Sequence, residues 1–257
     1  MKTRQRTLFI LLGWSIAFLA SQSNVSADYW LKFYEAKTYE DADGQTLSYR
    51  FLKPDKVEPG KKYPLVLFLH GAGERGTDNT AQLRPGIRHF TRSFNREKHP
   101  CFVVAPQCPP NTNWTHGGRS SPQPGAPLTL AFEVLDKLAA ELPVDKDRIY
   151  VTGLSMGGFG TWNAIAQRPV YFAAAIPICG GGDKTQATKL KDLPIWAFHG
   201  DKDKTVPCRL TVEMVEAIQQ AGGKAKMTIY PGVDHDSWSR TYADPAVLDW
   251  LFAQKKS

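Results

Sequence analysis

Arg148-Ile149-Tyr150-Val151-Thr152-Gly153-Leu154-Ser155-Met156-Gly157-Gly158 carries an apolar run directly into a turn of small residues. Ile149 to Thr152 reads as a buried strand, and a helical pattern begins at Met156 and runs to Gln167. Between them Gly153–Gly157 matches G-x-S-x-G. A serine on so sharp a strand-to-helix turn has a strained backbone and an exposed hydroxyl. Side chains two positions before it and two after would collide with neighbouring chain, so glycine is needed at both. Gly158 permits a still closer approach. The bland alternative is a glycine-rich turn with a bystander serine. The strand–turn–helix context favours Ser155 as a nucleophile.

Working outward, apolar runs recur at Leu65–Leu69, Phe102–Ala105, Ala173–Ile178, Ile195–Phe198 and Met227–Tyr230. Uninterrupted runs of this kind suit strands buried on both faces. Helical patterns lie between most of them, at Leu128–Leu142, Met156–Gln167 and Leu210–Ala221, the last stopped by Gly222-Gly223. Pro245–Phe252 reads as a final helix with Asp244 as its N-cap. Earlier, Asp28–Glu40 and Gln45–Leu52 flank an Asp43-Gly44 turn signal and suggest a hairpin. Antiparallel strands followed by strand–helix alternation indicate an α/β fold with a mostly parallel sheet of about eight strands. No linker or repeat divides residues 28–257, which read as one domain. Pro106 to Pro127 resists assignment: 22 residues with six prolines and three glycines. It follows the fourth strand, so it should lie where ligands bind to such sheets. Trp114 and His116 are its candidates to face a substrate, unless Trp114 simply anchors a cover loop.

A serine nucleophile on such a turn is followed in the chain first by an acid and then by a histidine. Only His199 and His235 follow Ser155. His199 ends a strand beside Gly200 and reads as fixing a turn. His235, in the loop between the last strand and last helix, is the candidate base. After the Ile195–Phe198 strand, Asp201 and Asp203 compete for the acid. Asp203 has enough chain before it to turn and aim at His235, whereas Asp201 suits capping the turn. Asp234 and Asp236 flank His235, but adjacent side chains diverge. For an oxyanion, Leu69-His70-Gly71-Ala72-Gly73 follows a strand and can point N–H groups inward. The expected donors are Ala72 and Met156, with Gly73 as fallback for the first, and His70 reads as structural. Gly71–Gly76 also matches the dinucleotide pattern G-x-G-x-x-G. Against that reading, other strands precede this one, and Thr77-Asp78-Asn79 looks like a turn, not a helix.

The first 27 residues combine a basic start, Lys2 to Arg6, an uncharged apolar run from Thr7 to Ala20, and Val25-Ser26-Ala27. That is the form of a signal peptide cleaved after Ala27, so the mature chain is expected to be secreted or periplasmic. The run is short for a membrane anchor. Without Lys2, Arg4 and Arg6 the formal charge of +7 falls to +4. The remaining cations are scattered, with no nucleic-acid footprint. Cys101, Cys108, Cys179 and Cys208 allow three complete pairings. Cys179 with Cys208 is one option, and free buried thiols are the other. No H-E-x-x-H, cysteine–histidine cluster or P-loop is present, so no metal or cofactor is expected.

The segments HGAGERGTDN, PQCP, GLSMGG, PICGGGD, HGDKDKTVP and YPGVDHDSW together resemble the α/β-hydrolase superfamily. Within it they look like the exported carboxylesterase and dienelactone-hydrolase-like group, including predicted peptidases of the prolyl oligopeptidase clan and phospholipase/carboxylesterases. The resemblance spans most of residues 60–240. It implies carboxylic-ester hydrolysis by Ser155, Asp203 and His235, with feruloyl, acetyl or polyester substrates in the group's repertoire. Relatives of dienelactone hydrolase itself use cysteine where this chain has Ser155. Prolyl oligopeptidase relatives add a propeller domain that these residues do not contain. Only 15 residues, Cys179 to Leu193, occupy the position of a lipase-like lid, so an open site is expected for bulky or polymer-attached esters. Trp114 and Trp238 are the candidate substrate-binding residues, placed either to stack on rings at a cleft or to fill core. A serine peptidase and a non-catalytic binding protein on the same scaffold are the alternative readings.

Overall fold

The computed structural model describes residues 29–119 and 121–256. The expected signal peptide, residues 1–27, lies outside the described residues. Eight strands are present: β1 (Tyr34–Glu40), β2 (Thr46–Leu52), β3 (Tyr63–Leu69), β4 (Phe102–Pro106), β5 (Val144–Leu154), β6 (Ala174–Ile178), β7 (Trp196–Gly200) and β8 (Lys226–Tyr230). They form one open sheet in the order β1-β2-β4-β3-β5-β6-β7-β8. β1 and β2 are antiparallel, β2 joins β4 antiparallel, and β4 through β8 run parallel. This is the α/β-hydrolase arrangement. The edge strand β1 is almost wholly exposed and carries Glu35, Lys37 and Glu40, charges that discourage pairing with another chain.

The helices are α1 (Ser93–Lys98), α2 (Ala126–Glu141), α3 (Met156–Gln167), α4 (Arg209–Gln220), α5 (Trp238–Ala243) and α6 (Pro245–Ala253). β3 shows how the two layers arise. All seven of its residues are buried, and alternate side chains face opposite ways. Leu65, Leu67 and Leu69 join a core with side chains of α2, α3 and α4. Val66 and Phe68 join a second core with Tyr242 of α5 and Val247, Leu248 and Leu251 of α6. The Asp244 carboxylate accepts the Ala246 N–H and so caps α6.

The order β4-β3-β5 places the reversal of winding between β3 and β5. A crevice opens at the carboxyl ends of strands at such a point. Leu69 pairs with Gly153 there, so the segments after β3 and β5 emerge side by side. Helix α3 packs against β3 at almost no distance: a Cβ on Gly157 would lie 1.9 Å from the Leu69 carbonyl oxygen. A Cβ on Gly158 would lie 2.2 Å from the Ile178 oxygen.

The structure differs from the sequence reading at several places. β5 begins at Val144, well before the apolar run: Val144 pairs with Tyr63 and pairing resumes at Ile149 with Leu65, so the polar Asp145–Arg148 form an irregularity between the two paired positions. α1 and α5 are short and carry no long periodicity. The Pro106–Pro127 stretch is not structureless: Thr115 bridges Pro124, and the Gly125 N–H bonds the Trp114 carbonyl. Trp114 itself is a correction. It is fully buried and faces no substrate. Its indole N–H donates to the His70 carbonyl at 3.0 Å, and its Cβ lies where a side chain at Gly160 would go. It pins the loop onto α3 and β3. His116 in the same loop is exposed. All four cysteines are free thiols.

His70 completes that staple. Fully buried, its Nε2 accepts the Cys108 N–H at 2.9 Å, which leaves Nδ1 protonated against the Gly71 carbonyl at 2.6 Å. Burial, with Arg75 nearby, lowers its pKa to about 4, although the bond to Gly71 works the other way. A histidine depressed in the fold takes up its proton first in the unfolded chain. Stability therefore falls as pH drops from about 6.5 towards about 4, by at most on the order of 3 kcal/mol for this group. Urea unfolding of wild type at pH 7 and pH 5 should show that loss, and His70→Gln should flatten it. Equal pH slopes in the two proteins contradict this account of His70. For the α3 junction, Gly158→Ala should cost roughly 3 kcal/mol or more. Asp244→Ala, losing one cap, should cost only about 1 kcal/mol. Urea midpoints in the reverse order would show that the contact between α3 and β6 is loose.

Candidate active site

Ser155 sits at the turn between β5 and α3 with φ 54° and ψ −116°, a region that side-chain-bearing residues rarely occupy. The conformation is imposed from both sides. A Cβ on Gly153 would lie 2.5 Å from the Gly157 oxygen and 2.6 Å from the Leu69 oxygen. The Ser155 N–H bonds the Ile178 carbonyl at 3.0 Å and faces the Cys179 thiol at 3.3 Å. The hydroxyl is thereby projected off the end of the sheet.

His235 arrives from the segment between β8 and α5. Its Nε2 lies 2.9 Å from Ser155 Oγ, and its Nδ1 lies 2.7 Å from Asp203 Oδ2. A carboxylate can only accept, so Nδ1 carries the proton and Nε2 accepts from the serine hydroxyl. The two loops that supply Asp203 and His235 are laced together. Asp201 accepts the Gly232 N–H at 2.7 Å, and Asp234 accepts the N–H groups of Lys204 and His235. The Lys202 N–H bonds the Val233 carbonyl, and a Cβ on Gly200 would strike that same oxygen at 2.2 Å. Asp236 receives the Ser239 N–H and hydroxyl at the start of α5. So Asp201, Asp234 and Asp236 hold backbone, and Asp203 alone among them meets the imidazole.

The Asp203 side chain is completely buried. Burial by itself raises a carboxyl pKa, but the bonds from His235 and from the Val206 and Thr205 N–H groups outweigh it and hold Asp203 below its ordinary value. Cys179, also buried beside this cluster, has its thiol pushed up to about 12 mainly by burial. The ligand atoms of Cys179, Asp203 and His235 lie within 4.8 Å of one another. A metal there would have to break the Asp203–His235 bond and deprotonate a thiol that the fold keeps protonated. The residues do not fit a resident ion.

Ala72 and Met156 both line the cavity next to Ser155, as do Arg75, Asn113, Thr115 and Arg119. Met156 opens α3, where a helix leaves its first N–H groups without internal partners. Ala72 opens a 3-10 turn, Ala72–Glu74, in the same way. Among the described residues neither N–H has an acceptor outside its own helix. The cavity holds about 140 Å³. Larger hollows of about 400 and 420 Å³ flank Asp192–Pro194 at the opposite end of the sheet, but no serine, cysteine or histidine lines them.

Trp238 is half-buried and stands edge-on to His235, with ring centroids 5.2 Å apart. Of the two tryptophans singled out by sequence, only this one borders the site. Arg75, Asn113, Thr115 and Arg119 were not legible as site residues. They come from two loops, and nothing in their local pattern distinguishes them from solvated residues. The segment after β6 contains one 3-10 turn, Lys184–Leu190, packed beside α3 and α4. Ser155 remains partly exposed.

With this geometry in place, three known proteins are informative. The bifunctional acetylxylan esterase/xylanase XynS20E of Neocallimastix patriciarum is 35% identical over 167 residues, covering 64% of this chain and 22% of that protein. The poly(3-hydroxyalkanoate) depolymerase C of Paucimonas lemoignei is 32% identical over 124 residues, covering 46% of this chain and 28% of its own length. The chain thus spans about a quarter of each of these relatives. A crystal structure of a thermostable esterase superposes with a TM-score of 0.85 at 43% identity, covering 88% of this chain and 64% of that one. Residues 116–246 match the dienelactone hydrolase family over half of the sequence. On that match, and with a sheet of the same architecture, the chain belongs to the dienelactone hydrolase family of α/β-hydrolases.

Proposed function

We propose that the protein is an exported serine carboxylic-ester hydrolase in which Ser155, His235 and Asp203 act as nucleophile, base and acid. The observation that carries this reading is the row of two hydrogen bonds, 2.9 Å from Ser155 Oγ to His235 Nε2 and 2.7 Å from His235 Nδ1 to Asp203 Oδ2. In this row His235 takes the serine proton as Oγ attacks the ester carbonyl. Asp203 holds the tautomer that leaves Nε2 free and stabilises the imidazolium that forms. The Ala72 and Met156 N–H groups receive the oxyanion. Collapse of the tetrahedral intermediate passes the proton from His235 to the departing alcohol. Water then repeats the sequence on the acyl-enzyme.

The cavity beside Ser155 supports a substrate class. Its 140 Å³ is well under the roughly 300–1,000 Å³ of sites that enclose a drug-sized ligand. It accommodates a short acyl group such as acetyl better than a feruloyl group. Ser155 itself is partly exposed, which suits an ester borne on a bulky or polysaccharide chain. An acetylxylan esterase among the relatives points the same way. Among the described residues no helix is long and apolar enough to cross a membrane, and cleavage after Ala27 would release residues 28–257 as the working domain.

Hydrolysis of nitrophenyl acetate, a long-chain nitrophenyl ester, methyl ferulate and a proline amide distinguishes the readings. Acetate should be cleaved fastest, and Ser155→Ala should lower kcat roughly 10⁴-fold or more. Faster cleavage of the proline amide would make the protein a peptidase. Absence of turnover on all four, with no labelling by a serine-directed phosphonate, would leave a binding protein on a hydrolase scaffold.

A further inference from the structure

An ionised carboxylate offers about four acceptor sites, and in Asp203 three are filled by hydrogen bonds with a further ring nitrogen close by. Oδ1 receives the Thr205 N–H at 2.9 Å and the Val206 N–H at 2.8 Å. Oδ2 receives His235 Nδ1–H at 2.7 Å, and His199 Nε2, whose N–H bonds the Val206 carbonyl, lies 3.2 Å from the same oxygen. His199 is completely buried at the end of β7. Its Nε2 also faces the Val206 carbonyl at 2.9 Å. Both neighbours of Nε2 are acceptors, so Nε2 must carry a proton. Nδ1 lies 2.7 Å from Thr211 Oγ1, which is in turn 3.0 Å from the Gly180 carbonyl. The ring is therefore held at both nitrogens, by α4 and by the segment after β6.

We infer that His199 is a positioning residue for the reaction: a second imidazole that holds the Asp203 carboxylate in line with His235 and limits how strongly that carboxylate attracts the His235 proton. This rests on the esterase reading above. The physical argument is one of competition. Oδ2 is buried, with the His235 N–H bonded to it and the His199 N–H 3.2 Å away. Remove the His199 donor and the charge on Oδ2 is shared with His235 alone. The His235 imidazolium is then stabilised more in the resting enzyme, so the base is protonated at higher pH. The carboxylate also loses the contact opposing rotation away from His235.

Other titratable groups face the pair from each packed element. Cys179 lies beyond β6, Cys208 precedes α4, and Asp234 and Asp236 flank His235. Burial holds the Cys179 and Cys208 thiols protonated. Asp234 and Asp236 are engaged with backbone. Burial likewise depresses His199 itself below the ordinary histidine value, against the pull of Val206 and Asp203. Burial thus favours the neutral ring, which acts as a donor without a charge.

The test is the pH profile of kcat/KM on nitrophenyl acetate, whose acid limb reports the base in the free enzyme. In His199→Phe the acid limb should move up by about half a pH unit or more, and kcat should fall roughly tenfold with KM little changed. His199→Gln, which returns an N–H donor at similar reach, should restore the limb towards wild type. Should the phenylalanine variant fail to fold, His199→Asn, whose amide stops short of Asp203, carries the same expectation. A folded variant without the donor whose acid limb stays in place overturns the inference, as does a uniform loss at all pH values that glutamine does not rescue. Ser155→Ala run alongside separates the two levels. If wild type is inactive or Ser155→Ala matches it, the esterase reading fails. If only the limb refuses to move, the role of His199 alone is lost.

Discussion

The contact between Gly157 and the Leu69 carbonyl is the constraint on which the rest of the site depends. No side chain fits there, and the absence of one lets α3 begin almost on top of β3. Two consequences follow from the same approach. Ser155 is forced into positive φ with its hydroxyl beyond the sheet. The unpaired N–H of Met156 comes to face the turn after β3, where Ala72 begins. The open N–H, the projected serine hydroxyl and the strain are thus products of one steric fact, set at the position where the winding of the sheet reverses.

Around that rigid point the remaining groups come from loops, and each loop is stiffened by polar contacts of its own. Trp114 and His70 fasten the Pro-rich loop to the end of β3 through buried hydrogen bonds. Asp201, Asp234 and the Lys202–Val233 contact tie the loop of Asp203 to the loop of His235. This matters energetically because a loop side chain left to itself samples many rotamers, and ordering it costs conformational entropy. Here much of that ordering belongs to the fold. Asp203 is the clearest case, a carboxylate held by two backbone donors besides the His235 imidazole.

The buried histidines illustrate how similar residue types diverge with environment. His70 and His199 are both fully buried at strand ends and both have depressed pKa values. His70 spends its two nitrogens on backbone. His199 spends one of its nitrogens on a hydroxyl and the other on a carbonyl and Asp203. His235, one loop away and partly exposed, is the one aligned with a serine hydroxyl.

What the sequence by itself determined was whatever depends on short-range pattern. Apolar runs located the parallel strands, the glycines around Ser155 announced the tight turn, and the order of Ser155, Asp203 and His235 along the chain was legible from strand ends alone. These follow from local sterics and from the periodicity of burial, which neighbouring residues express without help. The tertiary structure decided everything that depends on which loops meet. It carried β5 back across the polar residues Asp145–Arg148, because Val144 beyond them finds a partner in Tyr63. It buried Trp114, because Gly160 and His70 leave a slot for an indole. It brought Arg75, Asn113, Thr115 and Arg119 to one cavity and His199 to the back of Asp203. Those placements are set by contacts between segments far apart in the chain, and no local pattern records a partner that distant.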